Sequence, residues 1–232
     1  MSESPKGMSR FELEEALRQQ GCAVCRLVER AGSSYLEYIL YDLVNDPDVQ
    51  KEFRTSLGLC ERHAQRMLEK GDGLGVAILY QAVVRELLGL LSKPPDAPRS
   101  QASLARLLGR PKRVDAAIPE PGDGCTVCKA EGEAERRYLQ VLLESAEDGS
   151  LDDLAGGSGS VCVRHLSRAS VVAGGKLPSV LIDAAREVFG ALESELGRYV
   201  RHSDYRFRDE PWGRERDSWK RVVAQMLGRR RL

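Results

Sequence analysis

With 232 residues, 42% of them hydrophobic and 30% charged, the chain has apolar material for one or two buried cores, which excludes wholesale disorder. Its opening residues, MSESPKGMSR, lack the basic start and apolar core of a secretory signal. The most apolar stretch, 74–91, is interrupted by Gln81, Arg85 and Glu86, so it reads as a buried helix rather than a membrane span.

The expected setting is therefore cytoplasmic, with no membrane contact. Thiols stay reduced in that compartment, so the six cysteines call for an explanation other than disulfides. Net charge is zero but unevenly spread. Residues 92–114 carry six basic side chains against one acidic, and residues 198–232 carry eleven against five; the rest is acidic, with 29 against 18. A basic linker and tail suggest a nucleic-acid contact, but two segments lying on their own acidic body explain the same pattern. A dedicated nucleic-acid binder has a net basic domain, so that partner is not favoured.

In chain order, Ser9 opens a capping box with Glu12 and predicts a helix to about Gln19. After Cys22-Ala-Val-Cys25, apolar residues at Tyr35, Leu36, Ile39, Leu40, Leu43 and Val44 have helical spacing. Asp46-Pro47 predicts an N-cap followed by proline in the first turn, and Gly58 would close that helix. A further helix starts near Cys60 and stops at Gly71. The run Gly71-Asp-Gly-Leu-Gly75 reads as a helix cap, because no strand leads into it as a dinucleotide site requires. Ala77, Tyr80, Val84, Leu87 and Leu91 then trace one face of a longer helix.

Lys93-Pro-Pro-Asp-Ala-Pro98 begins a linker that ends at Ile118-Pro-Glu-Pro-Gly122 and holds a short helix over 100–108. Beyond it, Leu181, Ala184, Val188, Leu192 and Leu196 trace another helical face. A tail from His202 to Trp212 precedes a last amphipathic helix with Trp219, Val222, Val223 and Met226. No segment alternates with the period of a strand. The fold class is all-α.

A repeat organises these elements. Cys22-Ala-Val-Cys25 and Cys60-Glu-Arg-His63 recur as Cys125-Thr-Val-Cys128 and Cys162-Val-Arg-His165, offset by 103 and then 102 residues. Tyr35-Leu36 matches Tyr138-Leu139 and Leu40 matches Leu143 at 103; Arg62 and Arg66 match Arg164 and Arg168 at 102. Arg85-Glu86 and Gly89 match Arg186-Glu187 and Gly190 at 101. Two single-residue deletions account for the drift. The reading is a tandem duplication, giving two pseudo-symmetric helical modules. The copies would span 9–91 and 123–198, joined by the Pro-rich basic linker 92–122 and followed by a basic aromatic arm and helix, 199–232.

Three thiolates and one imidazole form a tetrahedral zinc set, and each CxxC or CxxH pair is spaced to put both ligands on one ion. The simplest pairing stays within a copy: Cys22, Cys25, Cys60 and His63 in one site, Cys125, Cys128, Cys162 and His165 in the other. Each pair falls at or just before a helix start, where the helix dipole favours the net negative charge of a three-thiolate zinc centre and depresses the thiol pKa. Two zincs per chain are expected, with an iron–sulfur cluster as the alternative. Four protein ligands leave no open position, so the expected role is structural.

His202, Asp204, Tyr205 and Arg206 form a second candidate set for ligand or partner contact. The histidine suits acid–base chemistry near neutral pH. The plainer reading is an arm folded along the body, its aromatics as anchors and its charges paired locally. The repeated Arg-Glu pairs have two readings as well, buried ion pairs or solvated helix faces.

CxxC at 22–25, Gly58-Leu59-Cys60-x-x-His63 and the tail Asp204-Tyr205-Arg206-Phe207 … Glu210-Pro211 … Trp219 together resemble an uncharacterised prokaryotic family known only as a domain of unknown function. The resemblance implies no established activity. Sequence reasoning thus points to a zinc-stabilised scaffold or binding protein with an unidentified protein or small-molecule partner. An enzyme using a groove near His202 and a nucleic-acid binder stand as alternatives.

Overall fold

The structure is a computed structural model that describes residues 5–92, 118–151, 159–207 and 210–228. The expected linker helix over 100–108 lies outside the described residues. Among the described residues are nine α-helices: α1 Pro5–Leu17, α2 Ala23–Tyr41, α3 Pro47–Thr55, α4 Glu61–Leu68, α5 Gly73–Ser92, α6 Thr126–Glu147, α7 Val163–Val172, α8 Ser179–His202 and α9 Ser218–Leu227. Short 3-10 turns cover Tyr205–Phe207 and Arg214–Asp217. The all-α expectation holds, with one addition: strands β1 Gly21–Cys22 and β2 Gly159–Ser160, of two residues each, pair in parallel.

The chain packs as two compact helical units, Met1–Ala31 with Glu131–Leu232 (unit 1) and Gly32–Ala130 (unit 2). This division cuts across the repeated halves, since each unit takes part of both. In unit 1, Leu13 and Leu17 of α1, Val24 and Leu27 of α2, and Leu139 and Leu142 of α6 share one core with Ala169 and Leu181. In unit 2, Leu36, Ile39 and Leu40 of α2 share a core with Val49 and Phe53 of α3, Met67 of α4 and Leu79 and Val83 of α5.

Local sequence explains most boundaries. Asp46 caps α3, its Oδ1 accepting from the amides of Asp48 and Val49 at 2.9 and 3.0 Å, with Pro47 in the first turn. Leu57 at φ 48 and Gly58 at φ 98 then turn the chain out of α3 in the left-handed region. Asp72 caps α5 by accepting from the Gly75 amide at 3.0 Å, which explains the glycine run 71–75 without a phosphate.

Three sequence expectations are corrected. Helix α1 begins at Pro5, so Ser9 is a buried interior residue rather than a cap. The buried face of α5 is Gly75, Leu79, Ala82 and Val83; of the expected face Tyr80 and Leu87 are partly buried against the core while Val84 and Leu91 are exposed, because the helix turns toward α3 a stripe offset from the expected one. In α9 the buried residues are Ser218 and Gln225, while Trp219, Val223 and Met226 are exposed. Helix α5 is also long and apolar enough, by length and composition alone, to cross a membrane. Of the repeated Arg-Glu pairs, Arg186 makes a 3.0 Å contact to Asp183 on a solvated helix face.

Candidate metal centre

All eight expected ligands fall into two clusters, but the clusters are exchanged relative to the within-copy pairing. Unit 1 brings together Cys22, Cys25, Cys162 and His165, and unit 2 brings together Cys60, His63, Cys125 and Cys128. Each CxxC therefore meets the CxxH of the other copy. Backbone pairing produces the exchange. In unit 1, β1 aligns Gly21 with Gly159 and Cys22 with Ser160, which sets the two ligand pairs side by side. In unit 2, the Gly122 amide donates to the Ser56 carbonyl at 2.7 Å. A β-carbon on Gly122 would come within 2.4 Å of the Cys60 α-carbon, so only glycine allows this approach, and its φ of +80 has the same requirement.

Each pair sits on a helix N-terminus. Cys60 and Cys162 are the N-caps of α4 and α7, and His63 and His165 are the third residues of those helices. Cys22 and Cys125 immediately precede α2 and α6, with Cys25 and Cys128 one turn in. Cap and third residue of a helix face the same way, which is the physical content of the x-x spacing. Two helix N-termini thus converge on each quartet, with amide hydrogens directed at sulfur; the Cys25 amide lies 3.5 Å from Cys22 Sγ.

The ligand-atom spacing is that of a tetrahedron. His165 Nδ1 lies 3.4, 3.4 and 3.2 Å from the sulfurs of Cys22, Cys25 and Cys162, and Cys25 Sγ lies 3.7 Å from Cys162 Sγ. In the second quartet, His63 Nδ1 lies 3.4 Å from each of Cys60, Cys125 and Cys128, and Cys60 Sγ lies 3.6 Å from Cys128 Sγ. A tetrahedron built on metal–sulfur bonds of about 2.3 Å and metal–nitrogen bonds of about 2.0 Å has edges of roughly 3.8 and 3.5 Å. All six cysteines are free thiols, far from the S–S length of about 2.05 Å of a disulfide.

Packed this closely, the thiols compete for protons. Burial, and then the charge of Cys125, push Cys128 up to about 12. Burial would raise Cys125 too, but hydrogen bonds from His63 and from the Cys60 and Cys128 amides bring it down to about 6. In unit 1, hydrogen bonds to Cys162 and Cys25 hold Cys22 well above the ordinary thiol value, while the same contact with Cys22 holds Cys162 far below it. Burial opposes protonation of His165, yet Cys162 and Cys25 raise it to about 9. One divalent cation at the centre satisfies all four donors without this competition, so the donor chemistry fits a thiolate-binding metal.

Unit 1 also supports its histidine from behind. Glu135 Oε1 lies 2.8 Å from His165 Nε2, and Arg168 pairs with the other carboxylate oxygen. This fixes the ring with Nδ1 toward the sulfurs, as carboxylates commonly do for ligating histidines. Sequence reasoning missed Glu135, because its counterpart at 103 residues is Gly32 and the repeat gave no signal there. It also missed the lid formed by the end of α9. Gln225 donates to the Val161 carbonyl at 3.1 Å and accepts from Ser160 Oγ at 3.0 Å. Gly228 then lies against the thiols of Cys25 and Cys162.

The second candidate set does not converge. Asp204 pairs with Arg206 at 2.5 Å, and Tyr205 is 85% exposed. His202 stacks on Trp212 with ring centroids 4.2 Å apart, and its Nε2 lies 3.6 Å from Glu215. Glu215, held below the usual carboxylate range first by the Gly213 amide, also faces Arg198. Arg201 covers the Phe207 ring at 4.0 Å and pairs with Glu210. Among the described residues the arm is held by Trp212 and Phe207, while Arg201 with Glu210, Arg206 with Asp204 and Arg198 with Glu215 pair locally.

Comparison with known proteins adds an affiliation and no activity. Residues 8–231 match a family of unknown function, DUF6062. An uncharacterised 23.9 kDa protein from the xynA 3' region of Caldicellulosiruptor sp. (strain Rt8B.4) is 24% identical over 189 residues, covering 81% of each chain. No solved structure matches.

Proposed function

The chain belongs to this family of unknown function, and from that premise we propose that it is a duplicated, zinc-stabilised binding protein of the cytoplasm. Each quartet holds one zinc ion, and the pairing of CxxC from one copy with CxxH from the other ties the two copies into the exchanged arrangement. The observation that carries this reading is the match of the sulfur–sulfur and sulfur–nitrogen spacings to the edges of a single-ion tetrahedron. A site with four protein ligands has no open position for substrate, which supports a structural role for the metal. Ligand atoms all within 4.8 Å of one another leave space for one ion, not for a multi-iron cluster. The partner is a protein or a small molecule.

The enzyme reading around His202 has less support, because the imidazole is stacked beneath Trp212 and its side chain is 5% exposed. A nucleic-acid role for the basic linker and tail draws little support from a tail whose arginines 198, 201, 206 and 221 all face carboxylates. Elemental analysis of the purified protein tests the proposal: two zincs per chain are expected, and iron or no metal overturns it.

A further inference from the structure

Unit 1 contains a cavity of about 1040 Å³ beside α8, comparable to the largest pockets that take small ligands. Its apolar lining includes Val180, Ala184 and Val188 of α8 together with Leu17, Leu142 and Leu166. The register that matches Arg85-Glu86 to Arg186-Glu187 sets these three α8 residues against Leu79, Val83 and Leu87 of α5. In unit 2 that face is covered: α3 packs on α5, and Val49 and Phe53 share a core with Leu79 and Val83.

Unit 1 departs from this in two ways, both legible in sequence. The wall residues are smaller, valine for leucine at two positions and alanine for valine at the third. The register sets Phe53 against Ala155 or Gly156, and no aromatic residue occurs anywhere in 150–158, which includes residues outside the described ones. The aromatic anchor of unit 2 therefore has no aromatic counterpart in the sequence of the second copy, where the large apolar residues of 150–158 are Leu151 and Leu154. This comparison rests on the duplication proposed above.

The rim is charged, with an excess of arginine. Arg26, Arg214, Arg216 and Arg221 line it against Glu187, Glu195 and Asp217. Arg221 holds two of those carboxylates, Glu195 at 2.5 Å and Asp217 at 2.7 Å. Arg214 only grazes Glu195 at 4.0 Å, and Arg216 is exposed with no carboxylate in ion-pair range among the described residues. An apolar wall with spare guanidinium groups at its edge is complementary to a molecule with an apolar body and an anionic end.

We infer that this cavity binds an amphipathic anion of the aliphatic carboxylate class, its chain along Val180, Ala184 and Val188 and its head at Arg214 and Arg216. Isothermal titration of the full-length protein with dodecanoate and dodecyltrimethylammonium below their micelle concentrations, and with dodecanol below its solubility limit, tests the inference, with metal content measured on the same sample. The expected result is one saturable dodecanoate site per chain, at least tenfold tighter than for the cation of equal chain length. Ala184→Phe and, separately, Val188→Phe should each weaken binding tenfold or more while zinc content and helicity stay at the parent level. Arg216→Glu should remove the preference for the carboxylate over the neutral alcohol.

No saturable dodecanoate binding, equal affinity for both ions, or parental affinity in a folded, zinc-loaded phenylalanine variant would overturn it. Binding by an acidic helical peptide but not by dodecanoate would also overturn it, in favour of a protein partner. If one phenylalanine variant fails to fold, the other carries the test. Two zincs without dodecanoate binding sinks this inference alone; dodecanoate binding without zinc sinks the metal reading alone.

Discussion

The α-carbon of Gly228 rests on the thiol of Cys25, so closely that a β-carbon there would lie 2.9 Å from that sulfur and 3.4 Å from Cys162 Sγ. The last turn of α9 thereby closes the unit 1 quartet from above. The approach works only for glycine, whose φ is +77 at this position.

Gly228→Val should therefore loosen that site selectively. The β-branched side chain must displace the tail or the thiols, and the backbone at φ 77 and ψ 164, a region essentially confined to glycine, adds about 1–3 kcal/mol of strain. Zinc release to a chromogenic chelator should become faster for one of the two ions and remain unchanged for the other. Parental kinetics for both would show that the tail does not shield the quartet.

The exchanged pairing gives a stoichiometric test that the within-copy pairing fails. Cys22→Ala with Cys162→Ala disables a single quartet and should leave one zinc per chain. Cys22→Ala with Cys60→Ala disables both and should leave none. The opposite pair of results would return the ligands to their own copies.

Glu135→Gln keeps the shape of the side chain but removes the charge that faces His165 and Arg168. Loss of such an orienting carboxylate commonly costs 10–100-fold in metal affinity. Competition with a chelator of known affinity should show this loss at one site. An unchanged affinity would mean the histidine is held by packing alone.

Gly122→Ala should destabilise unit 2 by about 2 kcal/mol or more, since it combines positive φ with a β-carbon driven into the Cys60 backbone. Chemical denaturation followed by circular dichroism would measure it. Gly124, two residues on and also at positive φ, has nothing within 4 Å of its would-be β-carbon, so Gly124→Ala should cost less. Equal costs would place the whole effect in backbone strain.

Acid should release both metals. Protons compete with the ion for three thiolates and an imidazole, so apparent affinity falls as pH falls. Zinc content after dialysis across pH 7 to 4 should fall steeply, with thermal stability falling alongside it. Stability that persists after the zinc has gone would show that the hydrophobic cores suffice by themselves.

Much of the molecule was legible beforehand. Ligand identity followed from residue chemistry, because cysteine and histidine three apart at a helix start present their donor atoms to one point. Asp46-Pro47 declared the start of α3, and the glycines after α3 and before α5 marked turns, because these signals act within a few residues of themselves. Hydrophobic periodicity was less reliable. It chose the wrong stripe on α5 and α9, where both faces carry apolar residues and only the neighbouring helix decides which is covered.

What sequence alone determined, then, was the helical class, the eight candidate metal donors and their placement at helix N-termini, all of which are local properties. Which CxxC shares a metal with which CxxH was decided by tertiary structure. The two CxxC motifs are chemically equivalent, as are the two CxxH motifs, so spacing cannot tell an ion's partners apart. The choice rests on backbone pairings between residues far apart in the chain, Gly21 with Gly159 and Ser56 with Gly122. Likewise, Glu135 and Gly228 became part of a candidate metal centre only when the packed chain carried them to the sulfurs and the imidazole, at distances no local pattern encodes.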